Sequence, residues 1–591
     1  MTISSIFDPL AVFPPEIVLR ILEFSSVSTL AALTVSSKSW HHFIDLTHQE
    51  AIYNSKSKDL QSSKCPRDSS TSLSDDAHTY SRLFEKTESW KDLCKRQTLL
   101  ASNWADRHPM TQESVLQIGN DPVWRFRPDF KRRFFVSSSH AGGLNVTDMD
   151  TGRILWRLPS SFDTDGDSVR PYAHLEYQDG MVVFDREGDA VEVWQADQEG
   201  AARGEFRRIA ILNHDCQTRG FQLSYSTLCV VSNQGHGFVY DMTQRPPVLT
   251  THLNIEKDAV GHLDQSEDVV IYSIGQKGYY AYEKASGEFL GVLQPSQCTD
   301  KYHILPPTAS SPSATAALAG GARHGSSHRP FPPGPPRRDS LVPLDVHSGP
   351  LPDSERTWEG VNEWGAGMLD GDLFVGFSRS GSVFVCSDWR KAIRDQAGLV
   401  ANSSLIECKS DGSSFDLGGW LSVQNHHLMF EIQDRIYVVA LDDRNRIQNV
   451  KSPSRASYSL LTSSAPQLAV PVSFMTLCDD AIMTTYTVCN CPSLLSRTTW
   501  LISENLRPSA GDNPWRISPA TYRSMKIPHE SSQQKLYESS AWPRTPSVQP
   551  KNQAHRIPLR QALVMILWIS MPKIVLLQTT CGAHKPAFYN C

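Results

Sequence analysis

The chain has no run of about 20 apolar residues of the kind a membrane helix needs, and no large excess of charge of either sign. Lys plus Arg is 57 against 63 Asp plus Glu, a net charge of −6 over 591 residues. That balance argues against a dedicated nucleic-acid or anionic-membrane binder. The first residues, MTISSIFDPLAVFPPEI, lack the basic stretch and apolar core of a secretory signal. The 12 cysteines are scattered, with no CxxC among them. Together these features predict reduced, mostly buried thiols in the cytoplasm or nucleus rather than a disulfide scaffold. The acceptor-like N-V-T at Asn145 and N-S-S at Asn402 then count as chance matches.

Motifs of catalytic or metal chemistry are also missing. There is no HExxH, P-loop, GxSxG or EF-hand. The acidic alternation Asp163, Asp165, Asp167 puts Ser168 where a calcium loop needs Gly and His174 where it needs a bidentate Glu, so a solvated turn is expected. His41–His42 and His426–His427 are adjacent pairs whose side chains diverge. Cys478, Cys489 and Cys491 lack zinc-finger spacing. We expect no catalytic residue, no metal site and no cofactor.

What is present is strand. From about residue 118 the hydrophobic period is two, in short β-branched or aromatic runs such as RRFFVSS, GMVVFDR, STLCVVSN and DVVIYSI, each bounded by turn residues. Two segments, GGLNVTDMDTGRILWRL at 142–158 and KGYYAYEKASGEFLGVL at 277–293, repeat one plan. Asp148 and Glu283 occupy equivalent places, as do Gly152 and Gly287. Internal copies of this size indicate radial or stacked units. The strand-rich regions 118–300 and 358–500 sum to roughly 325 residues, enough for about seven four-stranded blades of ~40–45 residues. The D-x-x-T-G-x-x-L-W piece ending at Trp156 is similar to the blade signature of quinoprotein-like propellers. The fold class expected is mainly β: N-terminal helices followed by a roughly seven-bladed propeller. Pro-, Gly- and Ser-rich residues 301–357 read as a disordered insertion, 57–79 as a disordered linker, and 501–591 as a poorly ordered tail. Within that tail, 562–577 is the most hydrophobic run, but Pro572–Lys573 interrupts it and it is too short to span a bilayer. No membrane partner is expected beyond a weak tail-anchor possibility there.

Residues 8–56 form a separate helical unit. Pro14 and Pro15 suit a helix start, and Glu16 in the first turn complements the helix dipole. Ile17, Ile21, Leu22 and Phe24 read as one apolar stripe. Ser26 or Ser28 and then Ser39 offer caps for a second and third helix, the second carrying Leu30 and Leu33 and the third Trp40, Phe43, Ile44 and Leu46. The stretch 13–40, FPPEIVLRILEFSSVSTLAALTVSSKSW, resembles the F-box, with Phe13, Pro14, Glu16, Ile17, Ile21, Leu22, Leu30, Leu33, Ser37 and Trp40 in register and without a gap. Ser25, Thr29 and Ser36 depart from the residues usual in that family. Residues 80–105, containing ESWKDLCKRQTLLASNW, look like the connecting helix that follows the F-box in family members with propellers.

That resemblance implies a non-catalytic substrate-recognition subunit of a Skp–cullin–F-box ubiquitin ligase. Pro14, Glu16, Ile17, Ile21, Leu22, Leu30, Leu33 and Trp40 would contact the Skp-type adaptor, and the propeller would hold an unidentified protein substrate. The side of the propeller away from helix 80–105 is then the expected recognition face, with Arg170, Tyr172 and Trp364 as candidate substrate contacts. Two alternatives remain open: a quinoprotein-like propeller enzyme, and an F-box scaffold without ubiquitylation substrates.

Overall fold

A computed structural model of the chain describes residues 8–59, 79–118, 121–186, 189–255, 262–307, 341–412, 420–433, 435–462, 472, 474–487 and 562–569. Six sheets each contain a four-strand antiparallel meander of consecutive strands. They span 123–158, 175–213, 218–254, 263–293, 364–408 and 421–461, numbered blades 1 to 6 here. The first strand of each touches the first strand of the next, from blade 1 through blade 6. Radial sheets joined along their innermost strands make a β-propeller.

The expected count of about seven is corrected to six blades built from continuous chain. The arc between blades 6 and 1 is occupied by a composite sheet. Met475–Leu477 and Ala481–Thr487 form its inner hairpin, Ala562–Ile569 adds to that hairpin, and Thr111–Gln117 supplies the outer edge. The ring closes through Phe126 and Phe135 of blade 1, which pack with Phe474, Ala481 and Met483. The Phe126 and Phe474 rings lie 5.2 Å apart, edge to face.

The repeat read from the sequence is a real turn. In blade 1 the Asp148 N–H donates to Arg153 O at 2.8 Å and the Gly152 N–H to Asp148 O at 2.9 Å. In blade 4 the Glu283 N–H donates to Glu288 O and the Gly287 N–H to Glu283 O, both at 2.9 Å. Gly152 and Gly287 take φ of +70° and +75°, a conformation that costs other residues energy. The Asp148 carboxylate accepts the Thr151 N–H at 2.7 Å and pairs with Arg203 at 2.6 Å.

Three boundaries move. The segment 301–357 is ordered at both ends. Lys301–Ile304 runs parallel to the outer strand of blade 5, Val346–Ser348 pairs with it, and Val342–Leu344 pairs with the outer strand of blade 6. Outer strands carry unpaired backbone groups, and these flanks satisfy them; 308–340 lies outside the described residues. Within the expected tail, Ala562–Ile569 is a strand. Its eight residues, ALVMILWI, are strand-length and end just before Pro572. The remainder of 501–591 and most of the linker 57–79 lie outside the described residues. No helix among the described residues is long and apolar enough to cross a membrane.

The helical unit comprises α1 (Pro9–Val12), α2 (Pro15–Glu23), α3 (Val27–Ser36), α4 (Lys38–His41), a π-helical turn (His42–Thr47) and α5 (Gln49–Asp59). Pro15 opens α2, and the Ser26 hydroxyl caps α3 by accepting the Thr29 N–H at 3.1 Å. Ser37, not Ser39, caps the next helix, accepting the Trp40 N–H at 3.2 Å. The helix expected over 80–105 is shorter: α6 runs Trp90–Ala105, starting where Ser89 accepts the Asp92 N–H.

Arg203 and the turn donors hold the Asp148 carboxyl down at about 2 against the burial that opposes ionisation. A carboxylate depressed in the fold stabilises it fully above its unfolded pKa of about 4, and that contribution fades as pH falls toward 2. Asp148→Asn should therefore cost about 1 kcal/mol at pH 7. Denaturant titrations of variant and parent should converge between pH 4 and pH 2.

Candidate docking surface and free propeller face

The helical unit has its own core. Val18 and Leu22 of α2, Leu30 of α3, Ile44, Ile52, Tyr53 and Cys94 of α6 pack together. On α2 a residue advances about 100°, so positions 18 and 22 share one face and positions 17, 21 and 24 another. Leu22 is 1% exposed and Leu30 0%. Neither can reach a partner, which corrects their assignment as adaptor contacts: they build the unit. Leu33 and Trp40 are half-buried against the same core.

The opposite face of α2 is bare. Phe13 is 45% exposed, Ile17 and Ile21 each 48%, and Phe24 79%, with Pro14 and Glu16 exposed beside them. A cavity of about 470 Å³ continues this surface, lined by Leu10, Phe13, Pro15, Val18, Lys38 and Phe43 among others. Ile17 and Ile21 on one face of α2, flanked by Phe13 before the helix and Phe24 at its C-cap, leave four large apolar side chains outside the filled core, a candidate interaction surface. Phe13 and Phe24 belong to it although only Ile17 and Ile21 were assigned from sequence.

Residues 79–105 tie this unit to one face of the propeller. The buried Asp480 carboxylate accepts the Tyr80 and Ser81 N–H groups at 2.8 and 2.9 Å, and burial raises its pKa. Trp104 Nε1 donates to Asp479 O at 2.9 Å, and its ring lies 4.9 Å from His427. Arg133 donates to Tyr80 O at 2.9 Å, and Arg82 pairs with Asp150 at 2.6 Å. Positions 133, 427 and 479–480 lie in or beside turns from first to second strands, and position 150 in a turn from third to fourth. In an antiparallel meander those turns share one side of the disc. The other side, formed by second-to-third turns and blade-to-blade connections, is not engaged by α6.

The three candidate recognition residues fare differently on that free side. Trp364 is 3% exposed and wedged between Tyr279 and Phe384, with ring separations of 6.1 and 6.3 Å. It fills the join of blades 4 and 5 and is not a contact residue. Arg170 is committed to Asp185, donating from Nε at 2.7 Å. That carboxylate also takes the His174 N–H, so Arg170 shapes the loop. Tyr172 alone of the three is presented, 52% exposed with φ +55°. It meets Trp124 at 5.4 Å and His140 at 5.0 Å, and Trp124 in turn meets Trp420 at 6.1 Å. Trp124, His140 and Trp420 were not singled out from sequence; the Arg–aromatic alternation in VWRFR at 123–127 was the available signal.

No family model matches the chain, and no curated protein matches it. Solved structures do align. The Cps50 (Swd1) β-propeller domain of Myceliophteria thermophila is 8% identical, covering 63% of this chain and 95% of that one, with a TM-score of 0.37. Sqt1 of Saccharomyces cerevisiae is 9% identical over 64% and 83%, with a TM-score of 0.36. The computationally designed Ika8 protein is 13% identical over 63% and 95%, with a TM-score of 0.35. The propeller assignment rests on the strand pairing described above.

The two faces of α2 predict opposite behaviour for neighbouring residues. Ile21→Asp should alter stability by no more than about 0.5 kcal/mol. Leu22→Asp buries an unpaired carboxylate and should cost more than about 3 kcal/mol. Thermal unfolding followed by far-ultraviolet circular dichroism checks the contrast.

Proposed function

We propose that this chain is a substrate-recognition subunit of a Skp–cullin–F-box ubiquitin ligase. The bare face of α2 and the adjoining cavity would dock the Skp-type adaptor, and the propeller would hold the protein to be ubiquitylated. The observation that carries this reading is the exposed stripe Phe13, Ile17, Ile21 and Phe24 on a unit whose core is complete without it. Each side chain still has about half its surface or more to remove from water, about 1 kcal/mol apiece. The order of helical unit, connecting helix and propeller, and the in-register F-box pattern, support the same reading.

In this reading the chain performs no covalent chemistry. Its contribution is proximity: two partners bound to one body react as if tethered, which replaces a chance encounter with an effectively intramolecular transfer. That gain requires a fixed path between the adaptor stripe and the substrate face. The packing of α6 provides it, with Cys94 in the helical core and Leu93, Leu100 and Trp104 in the core shared with blade 6 and the composite sheet.

The test is co-purification with a purified Skp-type adaptor. The full chain should form a stoichiometric complex, and Ile17→Asp/Ile21→Asp should weaken it at least ten-fold while the melting temperature is retained. Equal binding by the double variant would remove the basis of the proposal.

A further inference from the structure

Behind the aromatic group on the free face, basic side chains sit on or just before the first strands of four consecutive blades. Arg125 and Arg127 come from blade 1, His174 stands at the start of blade 2, Arg219 lies in blade 3 and His262 at the start of blade 4. Innermost strands line the central channel of a propeller. Arg125 Nη1 lies 2.9 Å from His174 Nε2, and the His174 ring lies 4.3 Å from that of Phe221 in blade 3. These contacts chain three blades together around the channel.

The charge there is unbalanced. Arg127 Nη2 donates to both oxygens of Glu176 at 2.7 Å, and Arg125 Nη1 lies 3.5 Å from the same carboxylate. One carboxylate thus serves two guanidinium groups. Arg125 Nε and Arg127 Nε are buried with no acceptor. Arg219 is exposed and has no ion pair among the described residues. Both Arg125 and Arg219 act on His262, whose pKa burial and those two charges push down to about 4, so it adds a neutral ring to the set. Two stacking contacts hold Arg125 and Arg127 in place: Arg125 lies 4.7 Å from the Trp420 ring centroid and Arg127 4.8 Å from that of Phe474.

We propose that the mouth of the central channel on the free face is an oxyanion site, taking a phosphate or carboxylate group. Half-buried guanidinium groups that share one carboxylate keep donors in excess, and the edges of a guanidinium match the paired oxygens of such anions. Two sources supply this chemistry: a free small anion, or an anionic side chain on a bound protein segment that crosses the rim at Trp124 and Tyr172. The site is independent of adaptor docking, since it is read on the chain alone.

Isothermal titration of the full chain at fixed ionic strength tests it, with sodium phosphate in one arm and a tri-glutamate peptide in the other. At least one arm should show saturable, one-to-one binding. Tighter binding of the peptide assigns the site to a protein segment; binding of phosphate alone assigns it to a free anion. Arg219→Gln, an exposed residue whose loss leaves the fold intact, and Arg125→Gln should each weaken binding at least ten-fold. Arg153→Gln, in a third-to-fourth-strand turn of blade 1 on the opposite face, should leave it unchanged. No saturable binding in either arm, undiminished binding by Arg219→Gln, or equal loss in Arg153→Gln overturns the proposal.

Discussion

Helix α6 belongs to two hydrophobic cores at once, and the arrangement of every candidate surface follows from that. At its N-terminal end Cys94, fully buried, sits among Val18, Leu22, Leu30 and Ile44, while Lys91 reaches Asp45 at 2.6 Å. Toward its other end Leu100 and Trp104 pack with Met429, Val438, Tyr458 and Leu477. The helical unit alone is too small to bury much apolar surface. Sharing a helix with the propeller extends its core and removes the hinge that a polar linker would otherwise leave.

The same packing decides which surfaces stay open. Because Asp479, Asp480, His427 and Arg133 all lie on one side of the disc, α6 and the strap at 79–82 occupy that side and leave the other uncovered by them. The composite sheet is part of this arrangement. Its outer strand, Thr111–Gln117, follows α6 in the chain and pairs with Ala562–Ile569, so the helix that shares the helical unit's core also leads into the closure of the ring. One side of the molecule thus carries α6 and the strap, and the other presents Tyr172 and Trp124.

How much of this was legible in the sequence depended on the kind of signal. The turn at 148–152 and its copy at 283–287 were readable because a left-handed glycine after an acidic residue is a local requirement of the backbone. The helix order was readable for the same reason: Pro15 and Ser26 act within one turn of themselves. Burial was not readable where it depends on partners far along the chain. Leu22 and Ile21 are equally apolar neighbours, and only the packing of Ile52 and Cys94 separates them. Trp364 reads as a candidate substrate contact because nothing local reveals Tyr279 or Phe384 against it. The strand at 562–569 was missed because its partners are 111–117 and 481–487, and an isolated apolar run does not announce a sheet. The low-complexity composition of 301–357 hid strands at its edges, where three residues suffice to pair.

Hydrogen–deuterium exchange of the full chain, free and with a saturating amount of purified Skp-type adaptor, tests the account most directly, because it reads the docking face and the shared helix in one experiment. The account requires amides of α6 to be protected already in the free chain, to the level of the blade strands. It also requires new protection on adding the adaptor to fall on residues 12–24 and 38–43. Fast exchange along α6 in the free chain, or protection that appears on the propeller and not on α2, would contradict it.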